Sequence, residues 1–269
     1  MDAKRHSELK DICRLVRRDV LEMCERTSSG HVGSAFSVVE ILVALYFEAM
    51  HADPKDPERD IAILSKGHAC AAQYSVLHRK GIMPDDRFAS FSVNGSVLGH
   101  HPHWEPAIGL EGNMGSLGHG LPIAAGMAYA ASKQKSKAKF FAIMSDGETE
   151  EGSVWEAAMF AAHHKLSNLC AIVDANGIQA LGNTRDIVFP APQPQRWHGF
   201  GWRVEEVDGH DLKQLASALS KAGEPGGPLV VVANTVKGKG VSFMENKLLW
   251  HYRQPKGEEF LAAMKELEK

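Results

Sequence analysis

Asp146 and Asn176 stand 30 positions apart, each just beyond a short apolar run: residues 140–144 lead into Ser145-Asp146-Gly147, and residues 169–173 lead into Asp174-Ala175-Asn176-Gly177. Carboxylate and amide oxygens are the ligands that hard divalent cations prefer, and magnesium fills its remaining positions with water and phosphate oxygens. A single carboxylate leaves the protein share of such a site at one negative charge, so an anionic diphosphate is not repelled from it. Gly147 lacks a Cβ and lets its backbone N–H approach a phosphate, and the helix expected after it directs a positive end toward the same point. Either dipeptide alone reads as no more than a strand-ending turn. The pairing of two such turns, each behind an apolar run, with Glu150-Glu151-Gly152-Ser153-Val154-Trp155-Glu156-Ala157 between them, is far more specific.

These loops need strands and helices to position them. Apolar runs at 61–64, 140–144, 169–173 and 229–232 each break into a polar or glycine-bearing loop, which predicts four buried strands. Helical spacing of apolar residues predicts helices over 7–26, 38–50, 153–165 and 211–221, the second opened by a Ser37-x-x-Glu40 capping pattern. Strands alternating with helices of this length imply right-handed crossovers and a parallel sheet with helices on both faces, an α/β fold. Residues 1–269 are expected to form one domain, with an extended C-terminal segment from about 237. If the 140–144 and 169–173 strands are neighbours, their ends lie roughly 5 Å apart and both oxygens reach one ion. The stretch 190–197, with three prolines and two glutamines, predicts an exposed loop.

The 269 residues are 44% hydrophobic and 23% charged, with a formal net charge of -3, so no basic field gathers a nucleic-acid backbone. The N-terminus is polar and no apolar stretch is long enough to cross a bilayer, which points to an unexported cytoplasmic protein without a membrane role. Cys13, Cys24, Cys70 and Cys170 form no Cys-x-x-Cys pair, so reduced thiols are expected rather than a disulfide framework or zinc knuckle. No Gly-x-Gly-x-x-Gly turn follows the first strand, which sets nicotinamide dinucleotides aside.

Asp146-Gly147, Glu151-Gly152 and Asp174-x-Asn176 together resemble the thiamine-diphosphate motif of transketolases. Further matches, in order, are Ser29-Gly30-His31, Ser65-Lys66-Gly67-His68, Gly115-Ser116-Leu117-Gly118, Val207-Asp208-Gly209-His210-Asp211 and Lys237-Gly238-Lys239-Gly240, so the resemblance covers nearly the whole chain. It implies that Asp146, Asn176 and the Ile178 carbonyl hold Mg2+ or Ca2+, that His68 and Gly147 meet the diphosphate of thiamine diphosphate, and that Gly115, Ser116 and Leu117 line its pyrimidine side. Glu151 would reach across a subunit boundary in the cofactor site. His31, His101 and His251 would face the sugar as the catalytic imidazoles, with His251 also touching the diphosphate; imidazoles suit hydroxyl recognition and proton transfer near neutral pH. The acid run 148–151 is otherwise expected to be a solvated surface. Ser145 stands where the family usually has glycine, His119 where glutamine is common, and Val32-Gly33-Ser34 follows His31 in place of the usual proline.

In the family's single-chain members a second thiamine-binding domain supplies the carboxylate that activates the pyrimidine and most of the sugar-phosphate grip. The resemblance therefore implies a partner, a C-terminal transketolase subunit carrying the pyrimidine-binding domain, and a heterotetramer acting on sugar phosphates by two-carbon ketol transfer. The nearest rival is a deoxyxylulose-phosphate-synthase-like or keto-acid-decarboxylating thiamine enzyme. Of another class is the rival reading of a cofactor-binding scaffold without catalysis.

Overall fold

The computed structural model describes residues 1–188 and 193–268. Its N-terminal helix α1 (Ala3–Thr27) starts at Asp2, whose carboxylate accepts the Arg5 amide. Two short helices follow, α2 (Val32–Ser37) and α3 (Val39–Ala44), joined at Val38 and continued by a wide turn through Ala49. Then come β1 (Ile61–Leu64), α4 (Cys70–Arg79), α5 (Asp85–Ala89) and α6 (Gly120–Gln134). Next are β2 (Phe140–Ser145), α7 (Gly152–His163), β3 (Leu169–Ala175), α8 (Thr184–Ile187) and α9 (Gln193–Gly199). The chain ends with β4 (Arg203–Asp208), α10 (Leu212–Ser220), β5 (Leu229–Asn234) and α11 (Glu258–Glu266).

All five strands pair in parallel in the order β1-β2-β3-β5-β4, so β2 and β3 are neighbours, with Ser145 opposite Asp174. The α/β fold expected from the sequence is the one observed. Alternate residues of each buried strand face two separate apolar cores. Phe141, Ile143 and Ile172 join the core under α1, α3, α4 and α10, whereas Phe140, Ala142, Met144 and Val173 join the core under α6 and α7. Burial on both faces is why these strands read as unbroken apolar runs.

Several expectations change. β4 is absent from the sequence pattern, because Arg-Val-Glu-Glu-Val-Asp is mostly polar; as the edge strand it buries only Val207. Residues 120–134, to which the sequence pattern assigns no element, form α6, whose packing face is built of small residues, Ala124, Ala125 and Ala128 among them. Ser37 and Glu40 make no capping box. Ser37 ends α2 and donates to Asp174 Oδ2 at 2.6 Å, while Glu40 takes both terminal nitrogens of Arg17 at 2.7 Å, because buried charged partners are stronger than a local cap. The loop expected at 190–197 is partly outside the described residues, and from Gln193 onward it is helical. The segment from about 237, expected to be extended, closes with α11, which packs on α1.

The start of α6 presses Gly120 onto Ser65: a Cβ there would lie 2.3 Å from the Ser65 Cβ. Overpacking a core contact costs about 1–3 kcal/mol. Gly120→Ala is accordingly expected to lower stability by that amount, read as a lower urea midpoint with an unchanged slope, and a wild-type midpoint would contradict the packing described.

Candidate functional site

Four adjacent strands, β1, β2, β3 and β5, release their carboxyl ends into one cavity of about 250 Å³. The loop after β1 carries Lys66 and His68, that after β2 carries Asp146 and Gly147, that after β3 carries Asn176 and Ile178, and that after β5 carries Lys237. Crossover connections place all four loops on the same side, which is why residues so distant in sequence converge.

Asp146 is buried, and its partners are neutral: Oδ1 accepts the Gly147 amide at 2.9 Å, and Oδ2 accepts the Gly177 amide at 2.8 Å and the Thr184 hydroxyl at 3.0 Å. It has no salt bridge among the described residues. Burial first, and then the neighbouring Asp174 charge, push its carboxyl above the usual range. A buried carboxylate without a cation suits a metal, and the oxygens beside it are also hard: the Asn176 amide and the Ile178 carbonyl line the same cavity. The residues present therefore fit a divalent cation.

Asn176 is itself oriented. Its Nδ2 donates to Asp174 Oδ2 at 3.3 Å and its Oδ1 accepts the Ile178 amide at 3.2 Å. Asp174 also accepts from Lys66, Ser37 and Thr235. Burial would raise its carboxyl, but the Lys66 ammonium and the hydroxyl donors hold it below the ordinary carboxylate value.

Three imidazoles form a triangle beside the cavity, with ring centroids 5.2 Å apart for His31 and His68, 5.4 Å for His31 and His251, and 5.8 Å for His68 and His251. The C-terminal segment reaches them by folding back: the His31 amide donates to the His251 carbonyl at 3.1 Å, and a Cβ at Gly30 would lie 2.5 Å from the Tyr252 carbonyl oxygen. Only glycine permits that approach. Burial foremost, then neighbouring histidines and lysines, lowers His31 to about 4 and His251 to about 3, and burial with Lys66 lowers His68 as well. All three are neutral at pH 7. His101 is also lowered by burial and neighbouring histidines, and its ring lies beside Gly115 and close enough to His31 to depress it.

Of the other expected residues, Leu117, Gly147 and Glu151 line the cavity, while Gly115 and Ser116 are exposed and do not. Glu151 is exposed at its mouth. The acid run is not a solvated surface: Glu148 is fully buried, accepting from the Ser65 hydroxyl, from the Gly118 amide at 2.9 Å and from the Ser145 amide at 3.3 Å. It ties the loops after β1 and β2 to the 115–118 loop, and burial raises its carboxyl. Lys237 has no role assigned to it from sequence, yet its Nζ donates at 2.9 Å both to the Ile178 carbonyl and to His251 Nδ1. Burial and the nearby Lys66 lower it to about 8. Its signal is the Lys237-Gly238-Lys239-Gly240 motif, in which position alone does not tell a buried lysine from an exposed one.

Residues 7–267 match the family described as the transketolase thiamine diphosphate binding domain, and the chain belongs to that family. It is 42% identical over 266 residues to an apulose-4-phosphate transketolase subunit of Actinobacillus succinogenes, covering 97% of this chain and 96% of that one. It is 38% identical to the 6-deoxy-6-sulfo-D-fructose transketolase subunit SqwG of a Clostridium species, covering 97% of each. Among solved structures, transketolase from Leishmania mexicana superposes with a TM-score of 0.89 at 26% identity, covering 97% of this chain, and the Campylobacter jejuni enzyme with 0.87 at 29% identity, covering 100%. The chain spans only 41% and 43% of those two longer chains.

The depressed imidazoles carry a stability consequence. An unfolded histidine titrates near 6.5, so below that pH the unfolded state binds protons that His31 and His251 refuse until about pH 4 and 3. Their contribution is complete above about pH 6.5 and is lost progressively as pH falls toward 4 and then 3. His251→Gln should therefore show a shallower acid loss of stability between pH 6.5 and 4 in urea titrations than wild type, and an equal slope would show that His251 is not held neutral.

Proposed function

We propose that this chain is the thiamine-diphosphate-binding subunit of a two-subunit transketolase that moves a two-carbon ketol unit from a ketose phosphate to an aldose phosphate. The observation that carries the reading is the buried Asp146 carboxylate, in no salt bridge among the described residues, lining one cavity with Asn176, Ile178 and the neutral imidazoles of His68 and His251. Asp146, Asn176 and the Ile178 carbonyl would hold Mg2+ or Ca2+, and Gly147 and His68 the diphosphate, with Lys237 added to that set by its position. When bound, thiamine diphosphate supplies the carbanion and electron sink that breaking a carbon–carbon bond beside a carbonyl requires.

The chain's own residues bind and move protons. His31, His68, His101 and His251 are neutral at pH 7, so each carries one ring N–H donor and one acceptor, the acceptor of His251 being taken by Lys237, a set suited to ketose hydroxyls and carbonyls. That clustering favours ketol transfer over keto-acid decarboxylation, which has fewer hydroxyls to bind. Glu151, Gly115 and Ser116 are exposed at the rim, where a second chain carrying the pyrimidine-binding domain would close the site. Relatives matched along nearly their whole lengths are named as subunits, which supports a heterotetramer of two such chains and two partners. The same names attach apulose 4-phosphate and 6-deoxy-6-sulfo-D-fructose to those proteins, so a modified sugar is the substrate class to try first here. The four cysteines are buried and unpaired, which fits the cytoplasmic setting proposed for a chain of reduced thiols; no described helix is long and apolar enough to cross a membrane.

Asp146→Ala removes the only carboxylate of the metal set. With the partner present, it is expected to weaken magnesium-dependent thiamine diphosphate binding by at least about 100-fold in calorimetry, about 2.7 kcal/mol, while the far-ultraviolet circular dichroism is retained. Unchanged binding would remove the metal assignment. Assaying the reconstituted pair with ketose phosphates and with pyruvate separates the two chemistries, since carbon dioxide release without ketol transfer would favour the decarboxylating rival.

A further inference from the structure

The Val207-Asp208-Gly209-His210-Asp211 motif lies outside the cavity and plays no part in the function above, yet its histidine ends a buried chain of charge that begins in α1. Arg17 is nearly inaccessible; both its terminal nitrogens donate to Glu40 at 2.7 Å, and one also reaches the Phe36 carbonyl at 3.2 Å. Glu40 Oε2 meets His210 Nδ1 at 2.9 Å. On its far side, His210 Nε2 receives the Val236 amide at 2.8 Å. A backbone N–H can only donate, so Nε2 is the bare nitrogen and Nδ1 carries the proton given to Glu40. Arg17 and His210 bring Glu40 to about 2, against the effect of its burial, so it stays an anion and an acceptor.

Val236 immediately precedes Lys237. That lysine donates to the Ile178 carbonyl and to His251, so its placement sets two sides of the cofactor cavity at once. Around it, Thr235 bonds to Ala175 and Asp174, the Asn246 amide donates to the Lys237 carbonyl at 2.9 Å, the Lys239 amide to the Val236 carbonyl at 3.2 Å and the Gly238 amide to the Gly33 carbonyl at 3.0 Å, while the Val236 amide is held by His210. A lysine side chain has several rotatable bonds, so a fixed backbone at its root is the least costly way to fix its tip.

We propose that Arg17, Glu40 and His210 form a positioning relay that clamps the Val236 amide and so aims Lys237 at the Ile178 carbonyl and His251, making His210 a positioning residue for the cofactor site. This rests on the reading of that cavity as a thiamine diphosphate site. Glu40 fixes the ring's orientation and tautomer, much as an outer carboxylate does for a metal-bound histidine, and the ring's other nitrogen holds the loop. The side chains of the relay themselves touch no cofactor.

Two substitutions separate positioning from charge balance. His210→Gln puts an amide oxygen near the position of Nε2 and keeps an acceptor for Val236, whereas His210→Asn puts an amide N–H near Nδ1 and keeps a donor for Glu40. Hydrogen exchange in the cofactor-free full-length chain reads the clamp, with β3 amides as the internal reference for global stability. The KM for thiamine diphosphate against kcat, in the reconstituted enzyme with magnesium, reads its consequence. The expected result is that His210→Asn speeds exchange at 236–238 and raises that KM by about 10-fold, the size of one lost hydrogen bond, with kcat changed less, while His210→Gln stays near wild type in both. The reverse ranking would make His210 only a counter-charge for Glu40 and overturn the relay. So would faster exchange without a change in KM, or wild-type behaviour in both variants. If the cavity were not a thiamine diphosphate site, the wild-type enzyme itself would show no dependence on the cofactor while the exchange pattern remained, which distinguishes that failure from this one.

Discussion

The carboxylate of Asp174 is the interaction on which the site's geometry depends. It is fully buried at the end of β3 and takes hydrogen bonds from Lys66 after β1, Ser37 at the end of α2, Thr235 after β5 and Asn176 two residues on. One side chain thus ties together three strand ends and a helix. A buried ion pair is weak evidence for net stability, because taking both charges out of water offsets most of their attraction. Its value here is geometric. With Lys66 also donating to the Ser34 carbonyl at 3.1 Å, the pair leaves Asn176 little freedom to rotate its amide, and the amide oxygen is what a cation would need.

A second buried carboxyl group does the same for the other half of the cavity. Glu148 accepts from Ser65, Gly118 and Ser145, so the loop after β2 is pinned to the loop after β1 and to the 115–118 segment. Asp146 lies in the same cavity wall as Glu148, and unlike Asp174 it has no lysine against it. Desolvation and the Asp174 charge both raise its carboxyl, so its anionic form is held at a cost. A divalent cation would offset that cost, which gives the proposed metal a reason to bind that does not depend on resemblance.

Much of this is legible in the order of residues alone. Strands β1, β2, β3 and β5 announce themselves because both faces are buried, and Asp146 and Asn176 stand out because glycine-bearing turns follow apolar runs. The relation between them follows from one crossover helix, α7, between neighbouring strands. Less legible is whatever depends on tertiary partners. Glu148 and Glu151 are three positions apart in one acid run, yet the first is sealed in and the second exposed, because the Ser65 hydroxyl and the Gly118 amide donate only to the first. Ser37 and Glu40 have capping spacing but serve Asp174 and Arg17, which come from 137 and 23 positions away. The polar edge strand β4 carries no apolar run, since both of its faces are only partly covered, Val207 toward one core and Val204 toward the other. Lys237 looks like any lysine in a glycine-rich loop until the fold places Ile178 and His251 against it.

The distribution of exposure across the site has its own meaning. On the side of Asp146, Asn176 and Lys237 the groups are buried and cross-bonded within this chain. On the side of Gly115, Ser116 and Glu151 they are open, and Leu181, next to the cavity-lining Ala180, is 82% exposed. The gradient matches the proposed division of labour: the chain pre-organises the anionic, metal-bound end of the cofactor, where electrostatics demand fixed dipoles and exclusion of water. The ring-bearing end would then be finished by surface from a partner. Under that division, errors in partner docking would alter how the ring and sugar are met while leaving the grip on the diphosphate intact, because no group in that grip depends on the open rim.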